Sequence, residues 1–491
     1  MQNRLTTCIL VLCGAVSVSL AQWGPDVRLT VDTATSCTAH DNSARPIAAN
    51  GNVVHVVWMD TRDGNWEIYY KRSTDNGSSW GPDTRLTNDP KEQSYPSVAV
   101  SDSNVHVVWR DARNTSWENY YKRSTDAGVT WGPDVRLTDD PNGSGIPSVG
   151  VAGGSVHVVW HDDRDGNLEI YYKRSSDNGA SWGPDTRLTN DPTEQSCPSV
   201  AVSGLNVHVV WRDERDGNWE NYYKRSTDGG TTWGPDVRLT DDPGSSGIPS
   251  VAVLGDSVHV VWYDDRDGNI EIYYKRSTDN GSSWGPDTRL TNDPAEQSYP
   301  TIAVSGKAVH VVWRDERDGN WENYYKRSTD GGATWEPDVR LTDDPNGSGI
   351  PSVAVAGSAR RDSMVHAVWF DDRDGNQEIY YKRNSTVNPV TEVTSIEGLG
   401  TFRLEQNCPN PVLRRTVVRY QILHETGVVL SVCNSAGRVV TTLVRGRQKA
   451  GTYTVSWDFS SVPCSVFPSG TYFCRLEAGG YTATRKMVKS E

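Results

Sequence analysis

Three groups of residues in this chain have types and spacings that could do chemistry. Carboxylates cluster, as in Asp162, Asp163 and Asp165 around Arg164, with Asp139 and Asp140, or Asp191 and Glu194, in the segments that flank the same unit. Such clusters suit calcium or a basic partner, and they equally suit solubility and pairing within the fold. Four indoles, Trp66, Trp117, Trp219 and Trp321, recur just after an Asp-Gly-Asn or equivalent turn, where they could stack on sugar rings or fill the space between neighbouring sheets. Arg45 is the third. Its slot holds Tyr95, Ile146, Cys197, Ile248, Tyr299 and Ile350 elsewhere, and with His40 and Asp41 it makes the one asymmetric polar group. Every other candidate acid, base or tyrosine recurs unit by unit. A catalytic pocket needs different groups converging on one atom, so no catalytic residue is assigned and binding is favoured over catalysis.

The elements that must position these residues follow from an internal repeat. Val-His-Val-Val-Trp ends at Trp58, Trp109, Trp160, Trp211, Trp262 and Trp313, every 51 residues, and a seventh copy ends at Trp369 after a five-residue insertion. In the first unit, Pro46 to Ala49 reads as a strand and Val53 to Trp58 as a strand buried on both faces. Asp60 to Asn65 is a turn, Trp66 to Arg72 a third strand and Trp80 to Thr87 a fourth. Four antiparallel strands per period describe a propeller blade. Residues 23–30 match the fourth strand without a third before them, whereas Gln377 to Arg383 is a third strand with no fourth after it. The N-terminal strand is therefore expected to complete the last blade and remove an open edge. The fold class expected is all-β, a seven-bladed β-propeller followed by a small immunoglobulin-like β-sandwich.

Strand order places the second-to-third-strand turns and the crossovers between units on one face of the disc. That face collects acids, and the opposite one collects Lys-Arg pairs such as Lys71-Arg72 and Lys122-Arg123, so a charge-polarised disc is expected. Units two, four and six read Trp-Arg-Asp and Glu-Asn-Tyr-Tyr, and the others Glu-Ile-Tyr-Tyr, which points to growth by copying a double unit of 102 residues.

The turn after the third strand is Ser-x-Asp-x-Gly-x-x-Trp in six units, with Asp75, Asp126, Asp177, Asp228, Asp279 and Asp330 at its centre. Asp can bond nearby amides, Gly supplies positive φ and Trp anchors the turn, so these aspartates are read as structural. The motif resembles the Asp-box, or BNR repeat, of sialidases and related β-propellers over residues 22–386. A sialidase requires an arginine cluster for the substrate carboxylate, a Tyr nucleophile activated by Glu, and an acid/base Asp. The family's Arg-Ile-Pro signature is absent, the nearest string being Arg45-Pro46-Ile47. The expected function is an exported or surface-attached binding propeller that recognises glycan or protein multivalently and does not cleave it, with Arg45, Trp66, Trp117, Trp219 and Trp321 as candidate ligand contacts. The alternative is a sialidase-like exo-glycosidase. No cofactor is expected, calcium being the candidate if one is bound, and no metal ligand is assigned.

The ends of the chain speak to export. Residues 1–21 read as a cleavable signal peptide, and no later stretch is long and apolar enough for a membrane helix. A net charge of -14 argues against nucleic acid as a main partner. After a linker at 387–400, residues 401–491 carry Gln-Asn-Cys-Pro-Asn-Pro from Gln406, Asn434-Ser-Ala-Gly-Arg438, Ser469-Gly-Thr-Tyr-Phe473 and Arg485-Lys-Met-Val-Lys489. These resemble the C-terminal sorting domain of the type IX secretion system, which implies that machinery as a partner, periplasmic passage, and a secreted or cell-surface location. Cys408, Cys433 and Cys474 stand where that family has aromatic residues. With Cys464 they suggest one or two disulfides whose pairing the sequence leaves open.

Overall fold

The computed structural model describes residues 23–38, 45–356 and 364–384, then 403–405, 407, 410, 412, 415–422, 425–435, 438–458, 468–478 and 481–490. The expected signal segment and linker, His40, Asp41, Cys408 and Cys464 lie outside them. The chain divides into two compact units, Met1–Ser385 and Thr386–Glu491.

The first unit is all β. Seven antiparallel sheets are present among the described residues, each with a ladder of four strands. In one of them Gln195–Ser203, Asn206–Asp213, Glu220–Ser226 and Val237–Arg238 pair in chain order, and the second strand is dense in valine because both its faces are covered. The outermost strand is shorter than the sequence suggests. In the first unit only Thr84–Arg85 joins the ladder, since Pro82 has no N–H to give it.

The core lies between sheets. Val159, Ile170, Tyr172 and Leu188 of one sheet pack against Val200, Val207, Val209 and Trp211 of the next, and the other interfaces repeat this pattern. Innermost strands touch their neighbours all the way round, Ser352–Val355 meeting Ile47–Asn50, so the sheets form a closed ring: a β-propeller. Its last sheet takes Val27–Arg28 as outer strand, with Val27 opposite Tyr381 and Arg28 opposite Tyr380.

The Ser-x-Asp-x-Gly-x-x-Trp turns clasp adjacent sheets. Asp75 accepts from the Ser79 amide at 2.8 Å and its hydroxyl at 2.6 Å, and these donors hold its carboxyl down at about 2. Trp80 meets Tyr381 of the preceding sheet edge-on at 4.9 Å, and the Tyr381 hydroxyl fills the space a Cβ on Gly77 would need.

The second unit has two antiparallel sheets. Arg403–Leu404, Arg415–Ile422 and Gly451–Asp458 form one; Val439–Gln448, Thr426–Asn434, Gly470–Ala478 and Tyr481–Lys489 form the other. Val418, Tyr420 and Ile422 pack against Val428, Leu430 and Leu476 between them. Against the disulfide expectation, Cys433 and Cys474 are free thiols. Cys474 lies opposite Val432 and Cys433 opposite Phe473, an offset of one residue that sends the two side chains to opposite faces of their sheet. Burial pushes the Cys474 thiol up to about 12.

Candidate functional site

Most of the charge that looked available in the sequence is committed to holding sheets together. Asp60 is fully buried. It accepts from the Trp58 indole at 2.9 Å, the Ser36 hydroxyl at 2.8 Å and Arg62 at 2.6 Å, while Arg62 also reaches Asp83 at 2.7 Å and lies over the Tyr69 ring. Asp162 repeats this, accepting from Trp160 at 2.9 Å and Arg164 at 2.6 Å. Of the opposite face's basic pairs, Lys71 binds Asp83 at 2.7 Å and Arg72 donates to the Ala127 carbonyl of the next sheet at 2.9 Å. Pairing within and between sheets thus takes up these cations and the buried carboxylates, the plainer of the two uses the sequence offered for them.

Arg45 does not line a surface cleft. It reaches into the central channel, a cavity of about 250 Å³ walled by Val, Ala and Gly of the innermost strands. There it donates to the Ser199 hydroxyl at 3.0 Å and to the Val251 carbonyl, spanning from the first sheet to the fourth and fifth. Desolvation without a facing carboxylate lowers its pKa to about 10. A cation so placed braces the channel across its width.

The four tryptophans separate into two kinds. Trp66 packs into the interface between the first two sheets, beside Met59 and Trp109. Trp117, Trp219 and Trp321 instead each carry a guanidinium on one face: Arg110 at 4.4 Å, Arg212 at 3.8 Å and Arg314 at 4.4 Å from the ring centre. Those faces are closed to a sugar.

Around each Arg-Trp pair the crossover to the next sheet makes the same set of contacts. Ser144, Ser246 and Ser348 donate their amides to the carbonyls of Trp117, Trp219 and Trp321 at 2.6, 2.7 and 2.6 Å. Their hydroxyls donate to Asp162, Asp264 and Asp371. The next glycine is required, because the rings of His161, Tyr263 and Phe370 occupy the space a Cβ would take at Gly145, Gly247 and Gly349. At the last interface the walls are Arg314, Trp321, Asn346 to Gly349, Phe370, Asp371, Asp372 and Gln377, around about 180 Å³. These three clusters lie at every second interface from the second sheet to the seventh. Sequence reasoning noted the alternation but did not assign a site to it. The signal was the residue after Val-Val-Trp, Arg in units two, four and six against Met59, His161, Tyr263 and Phe370 in the others.

Two of the clusters bring acids together. Oxygens of Asp140, Asp162 and Asp163 lie within 4.8 Å of one another, as do those of Asp344, Asp371 and Asp372. An arginine already threads each group: Arg164 is 3.0 Å from Asp140, and Arg373 is 2.9 Å from Asp344. Burial beside Asp371 still raises Asp344 to about 6. Among the described residues no helix is long and apolar enough to cross a membrane.

No protein-family model matches the chain. It is 28% identical over 216 residues to the xyloglucanase Xgh74A of Acetivibrio thermocellus, covering 38% of this chain and 24% of that enzyme. It is 24% identical over 204 residues to a sialidase of Paraclostridium sordellii, covering 34% of this chain and 50% of the relative. The chain thus spans about a quarter of one relative and half of the other. The crystal structure of the polysaccharide lyase Uly1 aligns with 74% of this chain and 99% of its own at a TM-score of 0.50 and 10% identity, a likeness of fold alone.

Proposed function

We propose that the propeller is a non-catalytic, multivalent binding module that recognises glycan through its crossover face. The observation that carries this is the recurrence of one interblade arrangement three times, at Arg110, Arg212 and Arg314, each combining an indole-backed arginine, a serine-glycine crossover, an aromatic ring and an aspartate, with a cavity beside the last of them. Repeated shallow sites serve avidity, where one deep pocket would serve turnover. The names of the two relatives, a xyloglucanase and a sialidase, are consistent with a glycan ligand; a protein ligand on the same face is the other outcome of the test.

A second reading, a sialidase-like exo-glycosidase, draws on the similarity to the sialidase. Against it, Arg45 spends its guanidinium on Ser199 and Val251, and the buried aspartates that recur around the ring are bonded to indoles and arginines. A glycan array run beside a panel of fluorogenic glycosides decides between the two on the intact chain. Binding without sugar release, unchanged in Arg45→Ala, is expected. Release that disappears in Arg45→Ala would establish the hydrolase instead.

We further infer that residues 1–21 and 401–491 export the protein through the periplasm, the latter as a type IX sorting domain, so that it works outside the cell. The motif strings from Gln406 to Lys489 support this. Fused behind a signal peptide and a reporter in a bacterium that has this machinery, residues 401–491 should bring the reporter to the surface or medium. Its retention in the periplasm would overturn the assignment.

A further inference from the structure

We infer that Arg110, Arg212 and Arg314 read carboxylate groups on the ligand, so that the glycan this face takes is a uronic-acid polymer bound at up to three points. The inference rests on the reading of the crossover face as a glycan-binding face, and goes beyond it in naming the ligand's chemistry.

These three arginines stand apart from the rest of the ring. The turn arginines close on buried aspartates, as Arg215 does on Asp213 at 2.6 Å. Those of the outer strands close on buried glutamates, as Arg238 does on Glu220 at 2.9 Å. Those ending the third strands cap a carbonyl of the next sheet, as Arg123 does at 2.7 Å. Among the described residues, Arg110, Arg212 and Arg314 form no ion pair and donate no side-chain hydrogen bond; the Nε of each is buried without an acceptor. Each of the three residues is nonetheless only partly buried.

An uncompensated guanidinium under partial burial is costly. Burial moves Arg110 and Arg314 below the usual arginine range, outweighing the smaller opposing pull of Tyr95 on the first and of Tyr299 and Glu316 on the second, neither arginine having a carboxylate in ion-pair contact. In a chain with 63 Asp and Glu against 49 Lys and Arg, carboxylates to pair with them were abundant, yet at these three pseudo-equivalent positions none closes an ion pair. Stacking on the indole fixes the plane of each guanidinium beforehand, so little side-chain entropy is lost when a planar carboxylate docks edge-on with two parallel hydrogen bonds. At the last interface the adjoining cavity of about 180 Å³ has room for little more than one sugar ring. Asp371 and Asp372 also line it, and Asp372, the more exposed of the two, is an acceptor for sugar hydroxyls.

Calorimetric titration of the intact chain tests this with oligomers of galacturonate, glucuronate and mannuronate, each beside its methyl ester, and with a sulfated galactan oligomer. At least one uronate should bind with a stoichiometry near three for short oligomers, more weakly as salt rises, and about tenfold or more tighter than its own ester, the value of losing a charge-assisted pair. The triple variant Arg110→Gln, Arg212→Gln, Arg314→Gln should bind acid and ester alike while keeping its Tm, and each single variant should remove one site. Equal binding of acid and ester in the parent overturns the carboxylate assignment and leaves a neutral-glycan face standing. Preference for the sulfated oligomer over every uronate overturns it too. Failure of every glycan, on the array as well, removes the underlying reading.

Discussion

Acidification from pH 7 to pH 5 should lower the melting temperature of the propeller by about 20 °C, with roughly six protons taken up on unfolding at pH 5. The cause is the histidine at the heart of each Val-His-Val-Val-Trp strand. His55, His106, His157, His208, His259, His310 and His366 are all 4% exposed or less, and each sets its Nδ1 against a buried tyrosine hydroxyl at 2.6 to 2.8 Å. Burial, with a nearby arginine as the smaller contribution, pulls the first five down to about 4 and His310 and His366 to about 3.

The sign follows from which state takes the proton. Unfolded histidine protonates near 6.5, whereas folded histidine stays neutral until about 4, so these groups cost no stability above 6.5 and withdraw it progressively as the pH falls toward 4. At pH 5 each contributes roughly 2 kcal/mol against folding, and seven together approach the whole net stability of a typical protein. Two other groups of carboxylates act elsewhere. Those of the clasp turns, such as Asp75 at about 2, lose their contribution only below the ordinary aspartate range. Asp344, raised to about 6, opposes the trend slightly between about 6 and 4 because there the folded state gains its proton first. Calorimetric scans across pH 7.5 to 4.5 check this. A Tm flat to within a few degrees over that range, or an uptake below about two protons, would show that the histidines are not held neutral.

The fold was legible because its units are copies: a strand motif seen seven times fixes its own register, and the unmatched strands at residues 23–30 and 377–383 announce closure. The chemistry was less legible because side-chain direction is not in the spacing. Asp162 and Asp163 look alike in sequence, yet Asp162 is sealed between Trp160 and Arg164 while Asp163 stays half-buried. Arg45 looked like a loop residue because its position precedes a strand, and only the ring's closure brings Ser199 and Val251 within its reach. Trp117 and its counterparts bond through their carbonyls to the crossovers that lead to the next sheets. What hid their role was the arginine seven residues earlier, which reaches them only across the hairpin where Arg110 lies opposite Asn119. Four cysteines suggested one or two bridges by number, and a one-residue offset between strands keeps the two described ones, Cys433 and Cys474, from pairing with each other.

Deletion of residues 23–30 should abolish cooperative folding of the propeller, and a peptide spanning residues 22–33 added in trans should restore it. This segment is joined to its sheet by noncovalent contacts alone, so its removal strips one blade without disturbing any other turn. Leu29, 2% exposed, leaves a cavity among Val54, Val56 and Ile379, a loss of about 2–5 kcal/mol for a leucine. Arg28 withdraws from Glu378, a carboxylate with no exposure, over a distance of 2.6 Å, and a buried charge stranded in this way costs about 3–5 kcal/mol. Asp26 is shared by Arg373 at 2.8 Å and Lys382 at 2.7 Å, and Trp23 meets Tyr325 of the preceding sheet edge-on at 5.0 Å. The sum, on the order of 5–10 kcal/mol, rivals the net stability of a domain and leaves Glu378–Asn384 as an open edge for other chains to pair with. Asp26→Asn alone weakens two partly exposed pairs and should cost no more than about 1–2 kcal/mol. Rescue by the peptide separates a missing strand from a general folding defect, because strand addition to a vacant edge supplies the same backbone ladder from a second chain. A truncated protein that melts cooperatively at the parent temperature would mean that the ring does not depend on this strand for its closure.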